Sequence, residues 1–238
     1  MTISRGRCPP PPPPGFASLL ETVKVAPNPE PWCRIFWEGR DPLGFVNGKR
    51  TRFDPLPAPW QDTKVLYAGT SFETAVAETI LRWHGQIVRG EEILISEVEQ
   101  LYPRRVARFV STRPLTVIDA TGLGLAQIEG AVTSVLALPT GCGVSSPKPI
   151  ADDIFNCGAI EYEKTQGWGA WFRAQHPQAD GIQWVSRQYN VGRCLVLFED
   201  LCGTVLEQIA APVPLYEEGS TEREVVRRLI GQLGWGVG

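Results

Sequence analysis

The sequence predicts an α+β protein with a mixed or antiparallel sheet at its core and helices on its flanks. Two observations carry this. Short runs of β-branched and aromatic residues outnumber the segments with helical periodicity. The runs Arg105 to Val110 and Leu115 to Ile118 follow one another with no helix between them, unlike the alternation of a doubly wound sheet.

Taken in order, the elements begin after a stiff polyproline run, Pro9 to Pro14, read as an N-terminal arm. Phe16, Leu19, Leu20 and Val23 share the spacing i, i+3, i+4, i+7 and predict a short amphipathic helix, ended by Pro27, Pro29 and Pro31. WCRIFW, from Trp32, is β-prone and opens the main domain. Arg34 sits there among apolar neighbours and needs an anion or a carboxylate, either a ligand's or a structural ion pair's. Asn47-Gly48 marks a turn. Arg52 stands beside Phe53 just before a Pro-rich loop.

Val65-Leu66-Tyr67 reads as a strand covered on both faces. Ser71 is a suitable N-cap for a helix that runs to Trp83, with Phe72, Ala75, Val76, Thr79, Ile80 and Trp83 on the core side. Glu78 lies off that stripe. It is either a solvated carboxylate paired with Arg82 or an acid looking into a cleft. Ile93 to Ile95 is a further strand. Asp119 to Gly124 begins like a phosphate loop, but Gln127 replaces the third glycine of the dinucleotide fingerprint and no βαβ unit surrounds it. Pro139 to Pro149 is loop-like. Tyr162 to Gln175 reads as a helix, Asp180-Gly181 as a turn, Ile182 to Val185 and Arg193 to Phe198 as strands. Val205 to Ile209 extends the sheet, and Ser220 caps a last helix through Leu233. The domains expected are an arm with a short helix at 1–31, a main domain at 32–200, and an extension at 201–238 packed on it.

Composition excludes several classes. A net charge of −3 and pI near 5.6 give no electrostatic case for nucleic acid or an anionic membrane. No apolar run is long enough to span a bilayer, and the N-terminus has no secretory h-region, so a cytoplasmic location is expected. The six cysteines form no C-x-x-C pair, and the two histidines lack partners at ligand spacing. Reduced thiols and no structural metal are expected.

The order of certain pieces resembles the RES domain family, named for its Arg, Glu and Ser. The pieces are Arg34 in WCRIFW, Arg52-Phe53 in TRFDP, Leu66-Tyr67-Ala68, Ala77-Glu78, Thr165-Gln166-Gly-Trp168, and Asp180-Gly181-Ile182 with Ser186-Arg187. The resemblance implies a fold similar to ADP-ribosyltransferases, and a bacterial toxin that degrades NAD as substrate, with no cofactor. It implies an Xre-type antitoxin as partner, in a dimer or a toxin–antitoxin hetero-oligomer. The family's site then falls on Arg34, Arg52, Tyr67, Glu78 and Ser186. The N-terminal arm, the 139–149 loop and the tail after Asp200 depart from compact members, leaving partner and reaction open.

The chemistry of those residues suits the expectation. Guanidinium forks grip pyrophosphate oxygens, the task given to Arg34 and Arg52. Tyr67 stacks on the flat nicotinamide cation. Glu78 stabilises the oxocarbenium-like sugar formed when the nicotinamide–ribose bond breaks. Ser186 either positions a ribose hydroxyl or phosphate, or holds Arg187 and the strand end. Besides hydrolysis or phosphorolysis of NAD, the alternatives are mono-ADP-ribosylation of a protein target and a catalytically inactive RES-fold binding module.

Overall fold

The computed structural model describes residues 21–27, 30–48, 51–54, 56–81, 103–121, 162–186 and 188–232. Among the described residues nine strands form one sheet: β1 (Thr22–Val25), β2 (Trp32–Trp37), β3 (Val65–Gly69), β4 (Arg104–Ser111), β5 (Leu115–Asp119), β6 (Gly181–Val185), β7 (Arg193–Phe198), β8 (Leu206–Gln208) and β9 (Val213–Pro214). Their order is β1-β5-β6-β7-β3-β2-β4-β8, with β9 also on β4. Among the described strands every pairing is antiparallel except β5 with β6. The sheet is therefore mixed and the class α+β, as the sequence predicts.

The helices are α1 (Phe72–Val76), which continues into a π-helical turn at Ala77–Leu81, α2 (Tyr162–Gln175), α3 (Glu199–Cys202) and α4 (Thr221–Gln232). The caps follow the sequence. Ser71 Oγ accepts from Thr74 N at 3.2 Å, and Ser220 Oγ from Arg223 N at 3.1 Å. Both satisfy a backbone N–H that has no partner inside its helix.

Strand alternation divides the core. On one face Val65, Ile118, Ile182, Trp184, Cys194, Val196 and Phe198 pack under α2 through Trp168 and Phe172. On the same side, Cys33, Ile35 and Val106 pack under α1 and α4. The opposite face carries Trp32, Leu66, Phe109, Val117, Leu195 and Leu197. Ion pairs at the edges tie α4 down, Arg108 to Glu222 at 2.7 Å and Arg228 to Glu73 at 3.0 Å.

Two expectations change. Val23 belongs to a strand, not a helix: Thr22–Val25 pairs antiparallel with β5, from Thr22↔Ile118 to Val25↔Leu115. The physical reason is an alternation of period two, with Val23 and Val25 packed on the apolar face and Thr22 exposed. The expected domain start at Trp32 thus cuts off a strand of the same sheet. Asp180-Gly181 is also no turn. Asp180 is a buried carboxylate at the head of β6, gripped by both Nη atoms of Arg113 at 2.8 and 2.7 Å and by Thr116 N at 2.8 Å. The strand expected at Ile93 to Ile95, the Pro139 to Pro149 loop, the arm through Leu20, and Trp83 lie outside the described residues. Among the described residues no helix is long and apolar enough to cross a membrane.

Candidate active site

Tyr67 stands on β3, on the face that packs under α2. Its phenol oxygen accepts from Phe53 N at 2.7 Å and from Thr51 Oγ1 at 2.9 Å. Those two donors belong to a tight turn in which Thr51 N donates to Asp54 O at 2.8 Å and Asp54 N to Thr51 O at 3.3 Å. Arg52 and Phe53 form the tip. Phe53 drops into the core edge-on to Trp184, with ring centroids 5.4 Å apart, and Trp184 also meets Tyr67 at 6.3 Å. The turn is therefore anchored through Phe53 and the Tyr67 hydroxyl, and Arg52 within it is only 6% exposed.

Glu78 is half-buried in the π-helical turn. A π-turn widens the helix and shifts the side chains that follow, a distortion common at functional sites. Here it follows directly on the end of α1. Ser186 Oγ donates to Glu78 Oε1 at 2.7 Å across 108 residues of sequence. Ser186 is fully buried at the end of β6. Its oxygen also accepts from Tyr189 N at 3.0 Å, while Ser186 N donates to Gly192 O at 2.9 Å. The β6–β7 loop in turn lies directly against α1: a Cβ on Gly192 would stand 2.0 Å from Thr74 Oγ1. That close approach sets the Ser186–Glu78 contact.

Cys194 links the two halves. It pairs with Gly69 on β3 and Trp184 on β6. Burial pushes its thiol pKa up strongly; the negative charge of Glu78 adds to the rise and the positive charge of Arg52 opposes it. Geometry joins them through β6: Trp184 meets both Tyr67 and Phe53 of the Arg52 turn, and Ser186, two residues on, holds Glu78. Arg52, Tyr67, Glu78 and Ser186 form one constellation.

Arg34 does not join it. Neighbours Cys33 and Ile35 face α1, so strand alternation sends Arg34 to the other face, that of Trp32. There its Nη1 donates to Gly44 O at 2.7 Å and Pro42 O at 3.3 Å. These two backbone carbonyls of the loop after β2 hold the guanidinium. Burial lowers its pKa to about 10, against the pull of Asp41. The sequence expectation of two converging guanidinium groups reduces to one.

The profile of the RES domain family matches residues 31–216. The chain belongs to the RES domain family. Among solved structures, this RES domain is similar to a chain in the crystal structure of the M. tuberculosis MbcT–MbcA toxin–antitoxin complex. The TM-score is 0.55 at 18% identity, over 91% of this chain and 94% of that one. At such identity the likeness speaks for the fold. No curated protein sequence matches the chain.

Sequence reasoning gave Cys194 no place near the site in the RES domain, because an apolar strand hides a cysteine among its core residues. It also gave no task to Thr165 and Gln166. Arg187 and Arg82 lie outside the described residues, so neither Ser186 beside Arg187 nor the Glu78–Arg82 pair is described.

Buried acids of high pKa make the RES domain sensitive to base. Burial raises Cys33 to about 11, Cys202 to about 12 and Tyr67 to about 12. In the unfolded chain such groups ionise near their ordinary 9.0 and 10.0. Between those values and the folded ones the unfolded state has lost protons the folded state keeps, so stability falls as pH rises. The urea midpoint is expected to hold from pH 7 to 8.5 and to drop steadily above about 9; a midpoint unchanged at pH 10.5 refutes this.

Proposed function

We propose that this RES domain is a toxin that consumes NAD by cleaving its nicotinamide–ribose bond, with water or phosphate as acceptor. The observation that carries the reading is the Glu78 carboxylate held at 2.7 Å by the buried Ser186 hydroxyl, in the constellation that includes buried Arg52. A glycosidic bond to a pyridinium breaks with its electron pair leaving on the nicotinamide nitrogen, which becomes neutral. Positive charge then appears on the ribose. A fixed carboxylate stabilises that charge most when it need not reorganise, and Ser186 fixes this one. Water then adds at the sugar carbon and loses a proton, giving ADP-ribose; phosphate would give the 1-phosphate ester. No proton need be delivered to the leaving group.

Arg52 supplies the cation for the pyrophosphate, and Tyr67 a flat surface for the nicotinamide ring. Arg52→Ala is expected to lower kcat/KM for NAD about a hundredfold, the scale of one or two lost charge-assisted hydrogen bonds. The fold should survive, because other groups hold the backbone of its turn. Nicotinamide release, followed by chromatography with purified protein, is the test. NAD left intact by folded wild-type protein sinks the reading. Label from NAD appearing on a protein band instead of as free ADP-ribose would move the acceptor to a protein.

The solved relative is one member of a toxin–antitoxin complex. By extension this chain acts in the cytoplasm, where NAD is held, against an antitoxin of the Xre type. Expression alone should arrest bacterial growth within a few generations, and co-expression of an adjacent small helix-turn-helix protein should restore it. Growth unaffected by wild-type protein, with NAD levels steady, would favour an inactive binding module.

A further inference from the structure

The turn that carries Arg52 is held from above by one face of α2. Gln166 Nε2 donates to Thr51 O and to Asp54 O, each at 3.0 Å. Thr165 Oγ1 donates to Arg52 O at 2.5 Å. Three carbonyls of a four-residue turn are thus taken by two adjacent helix side chains more than a hundred residues away in sequence. Both are buried, Thr165 at 0% and Gln166 at 9% exposure. Gly169 lies three to four residues further on, on the same face of the helix. A Cβ there would stand 2.8 Å from Phe53 Cδ1 and 2.9 Å from Leu56 Cδ2. A mid-helix glycine is unfavourable relative to alanine, and close approach to the turn accounts for this one. From below, Tyr67 takes the donors of the same turn, and Asp54 Oδ1 accepts from Gly48 N at 2.7 Å.

We propose that Thr165 and Gln166 are positioning residues that fix the Arg52 turn for substrate binding, acting through its backbone without touching the substrate. The proposal rests on the NAD reading of the site. A guanidinium grips a pyrophosphate in two parallel bonds only if its base is held to within a fraction of an ångström. Without Gln166, Thr51 O and Asp54 O keep only the donors inside the turn, and without the Thr165 hydroxyl Arg52 O loses its helix donor, so the turn would loosen and carry Arg52 with it.

The test uses full-length protein and three substitutions: Gln166→Met and Thr165→Val, which keep volume and remove the donor, and Thr165→Ser, which restores it. Amide hydrogen exchange across residues 48–54 should rise at least fivefold in the first two, while β6 and β7 remain as in the wild type. The KM for NAD should rise about tenfold, the scale of a lost hydrogen bond, with kcat changed less than threefold. Thr165→Ser should stay close to wild type in both. Exchange unchanged in Gln166→Met and Thr165→Val overturns the clamp. Faster exchange with an unaltered KM overturns its link to binding, and an equal fall in kcat and kcat/KM places these residues in the chemical step instead. If Thr165→Val fails to fold, Gln166→Met decides by the same two measurements. Wild-type protein that leaves NAD intact overturns the NAD reading and the binding half of the proposal; the exchange measurement still decides the clamp.

Discussion

Glu78→Gln should reduce NAD turnover by about a thousandfold or more, with the melting temperature within a few degrees of wild type. Glutamine has nearly the same shape and still offers an oxygen to the Ser186 hydroxyl, so the 2.7 Å contact that docks the π-turn on the β6–β7 loop is retained. What goes is the charge. Losing one preorganised electrostatic partner of a transition state typically lowers kcat by two to three orders of magnitude, and a full negative charge facing a forming cation lies at or beyond the upper end. Binding should be far less affected, because in the proposed reading Arg52, not Glu78, grips the pyrophosphate. Calorimetry should find NAD bound by the variant within about threefold of wild type, and expression of the variant should no longer arrest growth. Turnover within tenfold of wild type would remove Glu78 from the chemistry. Lost binding with kcat intact would make it a ribose ligand only.

The largest effect on stability is expected from Gly181→Ala. A Cβ there would stand 2.1 Å from Val196 O and 3.1 Å from Leu197 Cα. Both atoms are backbone of β7, and β7 has no room to retreat, since it pairs along its length with β6 on one side and β3 on the other. Nor can β6 slide, because the preceding residue is Asp180, clamped by Arg113 and Thr116. Overpacking ordinarily costs about 1–3 kcal/mol, and a main-chain clash between two central strands should reach 3 kcal/mol or more. For a chain of this length that corresponds to roughly 6–12 °C in melting temperature. A fall below about 2 °C would mean that the two strands separate easily.

Much of the sheet was legible in the sequence, because buried strands announce themselves as apolar runs between turn residues. WCRIFW and RCLVLF became β2 and β7, Val65-Leu66-Tyr67 lies in β3, which runs on to Gly69, and Tyr162 to Gln175 became α2. The failures have physical causes. Val23 satisfied a helical spacing with residues before it, whereas TVKV alternates and pairs with β5. The π-turn depends on backbone hydrogen bonding, which leaves no trace in side-chain periodicity. For the site, Arg52, Tyr67 and Glu78 were identifiable as residue types in suggestive places. Their grouping came only from the family resemblance, because contacts such as Ser186 to Glu78 join segments whose separation in sequence carries no information about distance. Arg34 shows the converse: the same residue type on a neighbouring strand points away once the pleat fixes its face.

Thr22–Val25 bears on how this protein should be produced. A fragment begun at residue 31, where the family match starts, would lack β1 and leave the backbone of Leu115–Ile118 without its antiparallel neighbour. Open strand margins recruit other chains, so such a fragment should self-associate where the longer one stays dispersed. Shortened expression clones should therefore keep everything from Thr22 onward, and an affinity tag should be joined upstream of it.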